Sequence, residues 1–482
     1  MNQSETPYAD ALRKYANSNV LRLNTPGHQI SESAQPALLK YFGKDLLNLD
    51  VQPNVDGIDF GIDGGPLNQS LQLAADAWGA HRTWFLTNGA SMGNLMACLT
   101  LANLGTNLVV QRSVHSSVID GLALGGLDPT FVYPSVDADL GIANGITPEA
   151  LSAALQSLEN PTAAYVVTPS YFGAVADVAA LAVVAHSFGV PLIVDEAWGA
   201  HFGFHPELPM NAIRLGADIV ISSTHKLGGS LTQTAMLHLG KTQFTEILEP
   251  LLERSFQSLQ STSASSILLA SLDLARHGLA TQGKTSVTHS IAAFDEIRAG
   301  IAKAGRFVDV ATTLLTYPDV MTIDPLRISI NTAIGGISGH EARSILLTKH
   351  NIHCEMANAT TVVMLIGAGV IPDSQRVLTA LHELPTTNTE SAALKLPEPG
   401  ARAMSVRSAY FSKTEIVSAS AAIGRVSADS VAAYPPGIPN LLPGEVVTEE
   451  TIEFLQATMA QPFGHVRGSV NAELSAFRVV AN

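Results

Sequence analysis

Three apolar stretches of this sequence run into residues that can do covalent, acid–base and anion-binding chemistry. In PLIVDEAWG, Asp195 follows four apolar residues. In ADIVISSTHKLGG a second apolar run ends, and Ser222, Ser223, Thr224, His225 and Lys226 follow. In RTWFLTNGASMGN a third leads into Gly89, Ser91 and Gly93. A lysine amine in a partly desolvated site can lose its proton and add to an aldehyde. A carboxylate can keep a pyridine nitrogen protonated, which makes the ring an electron sink. Backbone N–H groups at a helix N-terminus can hold a phosphate, with hydroxyls from Ser91 and Ser223 and the His225 ring beside them. Glycines in the NGASMGN turn allow that close approach. Aldehyde, ring nitrogen and phosphate are the three handles of pyridoxal 5'-phosphate (PLP). Taken singly, each signal has an ordinary reading: an Asp cap, a solvated lysine, a Gly-Ala-Ser helix start. Their occurrence together, each at a strand end, points to the cofactor.

Residues that must meet in one place need a scaffold, and the chain between 67 and 223 supplies one. Short apolar runs alternate with amphipathic helical segments. RTWFLT, NLVVQR, PTFVYP, TAAYVVTP, PLIVDE and ADIVISS read as strands. LNQSLQLAADAWGA, SMGNLMACLTLANL, HSSVIDGLALGG, TPEALSAALQSLEN, VAALAVVAHSFG and NAIRLG read as helices. That rhythm predicts an α/β fold with a mainly parallel sheet covered on both faces. Polar residues then collect in the crevice at the carboxyl ends of the strands. Residues 1–60 read as an N-terminal arm and 61–300 as the large domain, helical beyond 241. Residues 301–482 read as a smaller α+β domain with strands LRISIN and TTVVMLIG and a long loop at ELPTTNTESAALKLPEPG.

Composition narrows the function classes. The 482 residues carry 27 Lys and Arg against 42 Asp and Glu, a net charge of −15. Such a balance argues against nucleic acid as a partner and suits a cationic small molecule. The two cysteines, Cys98 and Cys354, can build neither a disulfide framework nor a CxxC metal site. The opening MNQSETPYAD has no basic-then-apolar signature, and no apolar stretch is long enough to span a bilayer. The expectation is a cytoplasmic protein with no membrane partner.

The same stretches resemble the Orn/Lys/Arg decarboxylase family of basic amino acid decarboxylases, in its short form. STHK (223–226) and YPPGIP (434–439) carry the resemblance most specifically. TPGH (25–28), GPLNQSLQLAADAWGA (65–80), NGASMGN (88–94), RSVHSSV (112–118), DEAWGAHFGFH (195–205) and STSASSILLASLD (261–273) extend it over most of the chain. The resemblance implies a fold-type I PLP enzyme with a seven-stranded sheet, acting on lysine, arginine or ornithine. It implies that Lys226 holds PLP as a Schiff base, that Asp195 pairs with the ring nitrogen, and that His115 and Ala197 flank the ring. Ser91, Ser223 and His225 would contact the phosphate, with the Ala90 backbone nearby. Ser261 and Thr262 would reach the phosphate of a neighbouring subunit, in a homodimer with shared sites. Arg407 in SVRSAYF is placed at the substrate carboxylate, and Glu445 near the cationic end of the substrate. An ion pair and a turn cap are their ordinary alternatives. The sequence departs from the family at Ala90, where Thr is frequent, at Gln29-Ile30-Ser31 after TPGH, and at Asn358, where an acidic residue is frequent. Another PLP-dependent reaction, such as transamination or aldol cleavage, and a non-catalytic PLP-binding protein are the alternatives.

Two further patterns carry less. GLATQGKT (278–285) matches a phosphate-loop pattern, but that loop works only between a strand and a helix, and ILLASLDLARH before it has helical spacing. His201 and His205, with Asp195 or Glu196, have a spacing seen in metal sites, but Gly203 and Pro206 interrupt the helix that would present them.

Overall fold

The computed structural model describes the chain except residues 54, 56, 57, 59–63, 388–392, 434–437, 462, 463 and 482. Four residues of the YPPGIP stretch and part of the 383–400 loop therefore lie outside the described residues. The central sheet has seven strands: β1 (Arg82–Leu86), β2 (Asn107–Gln111), β3 (Asp128–Val132), β4 (Ala163–Val167), β5 (Leu192–Asp195), β6 (Ile219–Ser222) and β7 (Ala235–Leu239). Their order across the sheet is β1-β7-β6-β5-β4-β2-β3. β6, β5, β4, β2 and β3 pair in parallel. β7 pairs antiparallel with both β6 and β1, so it alone is reversed. This is the mainly parallel α/β sheet expected, with β7 added. AMLHL offers only a short apolar run interrupted by His238. Burial there is possible because the His238 ring meets Thr83 Oγ1 at 2.9 Å and Ser222 Oγ at 3.3 Å.

Parallel strands buried on both faces must alternate their apolar residues between two cores. Leu108, Val110 and Ile221 face one layer with Met96, Leu122 and Leu252. Val109, Val166 and Val220 face the other with Leu151, Leu155 and Leu181. The chain N-terminal to the sheet forms α1 (Pro7–Ala16), α2 (Pro36–Leu49) and α3 (Pro66–Trp78). The helices that cover the sheet are α4 (Gly89–Leu101), α5 (Ser116–Gly125), α6 (Pro148–Gln156), α7 (Val178–Ser187) and α9 (Thr245–Leu259), with the single turn α8 (Thr224–Leu227) between β6 and β7. NAIRLG, read as a helix, forms turns instead; it is too short to close a helical hydrogen-bond ladder and connect to β6.

The 39-residue helix α10 (Ser266–Ala304) links the cores. Leu269 and Leu272 pack with Tyr8, Leu12 and Trp78, which docks α1 of the arm. Phe294, Ile297 and Ile301 pack with a second, antiparallel sheet. That sheet comprises β8 (Val308–Asp309), β9 (Arg327–Asn331), β10 (Met356–Ala357) and β11 (Thr361–Leu365), in the order β8-β9-β11-β10. The GLATQGKT pattern lies wholly inside α10, so its glycines form helix rather than an anion-binding loop. Residues beyond 400 build a separate apolar cluster around Val431, Leu441, Leu455 and Phe477. Among the described residues, the stretch 301–482 thus contributes to more than one apolar cluster. In the arm, α2 was not anticipated; Gly43 at φ 77° breaks it, and Tyr41 and Phe42 stay exposed.

Gly93 has a different task from the one its motif suggests. It lies in the second turn of α4, where a Cβ would meet Ile221 Cγ2 at 2.8 Å and Leu86 Cδ1 at 3.0 Å. It brings α4 down onto β6, and with it the helix start at Gly89. Gly93→Val should lower stability by roughly 1–3 kcal/mol through overpacking, measured by denaturant melts against wild type. An unchanged midpoint would show that the helix can lift without cost.

Candidate functional site

The carboxyl ends of β1, β5 and β6 open on one cavity of about 180 Å³. Asp195 ends β5, and Lys226 lies in the turn after β6; β5 and β6 are adjacent and parallel. Both residues line the cavity. Asp195 is buried, and a built set of donors holds it. Its Oδ2 accepts from Asn94 Nδ2 at 2.9 Å, and its Oδ1 from the Ala197 N–H at 3.0 Å. Asn94 is fixed in turn, because Tyr165 OH donates to its Oδ1 at 2.9 Å and its Nδ2 also donates to Ser117 Oγ at 3.0 Å. A buried carboxylate held in this way presents a defined negative centre.

Lys226 is partly accessible, and the cavity is what it faces. Its Nζ sits 3.8 Å from the centroid of the Trp198 ring. Burial pulls its pKa down from 10.5 to about 8, and the Arg327 charge acts in the same direction; Asp195 and Glu355 oppose. A deprotonated, nucleophilic amine is therefore accessible near neutral pH. The His115 ring is also lowered, chiefly by burial, against the pull of Asp195. Its Nδ1 accepts the Ser117 N–H at 3.2 Å and lies 2.8 Å from Ser117 Oγ, and its Nε2 lies 3.5 Å from Arg467 Nη1. His225 is lowered by burial and by the neighbouring Lys226 charge.

The start of α4 forms part of the cavity wall. Gly89, Ala90 and Ser91 line it, with Ser223 and His225 alongside. The first N–H groups of a helix have no acceptor within it, and the Asn88 side chain does not cap them. Gly89 at φ 74° makes the turn that aims them. One cavity is thus lined by an amine of lowered pKa, a buried carboxylate and a helix N-terminus that no side chain caps. This donor set fits the aldehyde, ring nitrogen and phosphate of PLP.

Comparison with known proteins identifies the family. Residues 6–372 match the family model for the Orn/Lys/Arg decarboxylase major domain, and residues 387–463 match its C-terminal domain. The chain belongs to the Orn/Lys/Arg decarboxylase family. It is 32% identical to the arginine decarboxylase of Bacillus subtilis over 100% of this chain and 99% of that protein. It is 23% identical to the constitutive lysine decarboxylase of Escherichia coli over 92% of this chain and 76% of that protein. Among solved structures, the lysine decarboxylase of Francisella novicida superposes with a TM-score of 0.82, covering 99% of this chain and 81% of that one at 19% identity, so that likeness concerns the fold.

Not every residue singled out in this Orn/Lys/Arg decarboxylase chain reaches the cavity. Ala90, Ser91, His115, Asp195, Ala197, Ser223, His225 and Lys226 do. Ser261 and Thr262 are exposed in the turn between α9 and α10 and do not line the cavity of their own chain. Arg407 is a correction. Its Nη1 donates to the carbonyls of Ala123 and Leu124, at the C-terminal end of α5, at 3.0 and 2.7 Å. Its guanidinium lies over Phe411, and Arg407 does not line the cavity that holds Lys226. A cation there answers the helix dipole.

Glu445 is a second correction. It is buried, and both its oxygens are taken by Arg112, at 2.5 and 2.9 Å, with Leu442 N–H a further donor at 2.9 Å. Its charge is answered by Arg112, and it does not line the cavity that holds Lys226. Asn358 is likewise structural, since its Oδ1 takes the N–H groups of Thr360 and Thr361 in a tight turn. His201 pairs with Asp324 and His205 with Thr288, so the two histidines do not converge. Sequence reasoning passed over Asn94, Tyr165, Trp198 and Arg327. Asn94 and Trp198 sit inside motifs already singled out, whereas Tyr165 and Arg327 carry no local signal.

Two measurements follow. In the cofactor-free chain, pH-dependent competitive acetylation read by mass spectrometry should give Lys226 a midpoint near pH 8; a midpoint near 10.5 would mean the amine is solvated. Glu445→Gln should cost roughly 3–5 kcal/mol, because it strands a buried guanidinium, while the Arg112→Met/Glu445→Met double variant recovers most of it. Equal losses in the single and double variants would remove the pair's structural role.

Proposed function

We propose that this protein decarboxylates a basic amino acid with PLP as cofactor, and that arginine is the substrate. The observation that carries the reading is the joining of Lys226 and Asp195 in one cavity with the open N-terminus of α4. In this reading Lys226 holds the aldehyde end, Asp195 the ring nitrogen, and the Gly89–Ser91 backbone with Ser223 and His225 the phosphate. His115 and Ala197 flank the ring. When bound, PLP supplies the sink for the electron pair left as carbon dioxide departs.

The chain's own residues do the rest. Asn94 and the Ala197 N–H keep both Asp195 oxygens in place, so its charge is preorganised where the ring nitrogen must lie. Lowering of the Lys226 pKa leaves a usable share of free amine for exchange with the substrate's α-amine. Cavity walls orient the scissile carboxylate and exclude water, which favours loss of carbon dioxide over side reactions. Lys226 or His225 returns a proton to the α-carbon, both being on the turn that lines the cavity.

Arginine is favoured over lysine because the arginine decarboxylase relative matches end to end at the higher identity. The charge of −15 suits a cationic substrate. Ser261 and Thr262, exposed in their own chain, support a homodimer in which they complete the neighbour's phosphate site.

The deciding experiment is a panel of arginine, lysine and ornithine with carbon dioxide and product amine both measured. Arginine should lead, the protein should be yellow, and borohydride should fix the cofactor on Lys226. Lys226→Ala should lose the fixed cofactor and at least about 10³-fold in kcat, as expected when a covalent nucleophile is removed. Amino-group transfer or aldol cleavage without carbon dioxide release would replace the reading by another PLP reaction. Colour without turnover of any amino acid would make the chain a binding protein.

A further inference from the structure

Beside Trp198 lies a buried polar cluster that the proposed chemistry does not use. Arg327, Asp324 and His201 are all fully buried. His201 Nε2 lies 3.0 Å from Asp324 Oδ1, and Arg327 Nη2 lies 3.7 Å from Asp324 Oδ2. Arg327 Nη1 donates to the carbonyls of Ser170 and Tyr171 at 2.7 and 3.0 Å. Its stem runs past Gly173, where a Cβ would meet Arg327 Cδ at 3.3 Å. Yet Arg327 Nε and Nη2, Asp324 Oδ2 and His201 Nδ1 make no hydrogen bond. A buried cation this incompletely answered is costly, and such groups are kept where they act on a site.

The guanidinium's remaining contact shows where. Arg327 Cζ lies 4.9 Å from the centroid of the Trp198 ring, and Lys226 Nζ lies 3.8 Å from the same centroid. Two cations therefore share one indole, and the second comes from the small sheet, at the first residue of β9. We propose that Arg327 is a positioning residue for Lys226: braced by Asp324 and the Ser170 and Tyr171 carbonyls, it fixes Trp198 against the amine and holds a second positive charge beside it. The inference rests on Lys226 being the reacting lysine of the proposed function.

The charges acting on Lys226 are Asp195 and Glu355, which favour its ammonium form, and Arg327, which disfavours it. His115 and His225 also lie within its field. Both histidines are lowered, so both are largely neutral at pH 7 and above. Arg327 is thus the cation that disfavours the charged amine, and burial acts with it. Taking its charge away stabilises the ammonium, so the midpoint for Lys226 must rise.

The test uses the full chain without cofactor and reads Lys226 acetylation against pH. Arg327→Gln should raise the midpoint by about one pH unit, the size of a unit charge acting across a partly shielded site. Arg327→Lys should return most of that shift, since it restores the charge. Thermal melts establish that each variant is folded. A folded Arg327→Gln with an unmoved midpoint overturns the proposal, as does a shift that Arg327→Lys fails to reverse. Should Arg327→Gln not fold, Asp324→Asn makes the test in reverse: it leaves the guanidinium less answered, so the midpoint should fall, and a midpoint that stays or rises overturns the proposal. Because no cofactor or substrate enters this measurement, an unmoved midpoint counts against Arg327 alone. Loss of the decarboxylase reading would appear instead in the substrate panel.

Discussion

The constraint on which this molecule turns is the enclosure of one lysine amine beside one buried carboxylate. Taking an ammonium out of water disfavours its charge, and that penalty brings the Lys226 pKa down to about 8. The same enclosure would be unfavourable for Asp195 without partners. Asn94, the Ala197 N–H and, one step further out, Tyr165 supply them. Those partners come from α4, from the turn after β5 and from β4, so the carboxylate is satisfied only when three elements are assembled. Fold and site are therefore conditions for each other.

Assembly depends on close approach as much as on polarity. α4 carries both Asn94 and the helix start at Gly89, and Gly93 lets it lie on β6. A helix held further out would move the anion-binding end and the carboxylate's main donor together. Around this centre, buried ionic contacts tie distant segments to the sheet. Arg112 at the end of β2 grips Glu445. Arg276 in α10 binds the carbonyls of Gln3 and Glu5 and so anchors the arm. Arg327 joins the small sheet to the turn after β4. Buried pairs of this kind contribute little net stability, but they are costly to break singly, so they specify one docking geometry.

Much of this arrangement was legible beforehand. Six of the seven central strands, their mainly parallel pairing and the carboxyl-end location of Asp195 and Lys226 follow from local periodicity, because apolar side chains must alternate or run continuously to bury a strand. The helix start at Gly89 and the serines near it follow from turn chemistry. β7 escaped because a buried histidine breaks its apolar run, and only Thr83 and Ser222 on neighbouring strands make that histidine acceptable. Arg407 and Glu445 were misplaced for a related reason. A charged residue in a suggestive stretch looks available, and its engagement with Ala123 and Leu124, or with Arg112, is a long-range fact.

By itself, then, the sequence determined the fold class, the strand ends that bear the chemistry and the residue types able to hold a phosphorylated aldehyde. Those are properties of spacing along the chain. Only the tertiary structure decided which charged groups are free to act and which are spent on one another. It brought Asn94 to Asp195 from 101 residues away and Arg112 to Glu445 from 333. Electrostatic energy depends on distance in space and on the solvent excluded between groups, and neither quantity is encoded in local order.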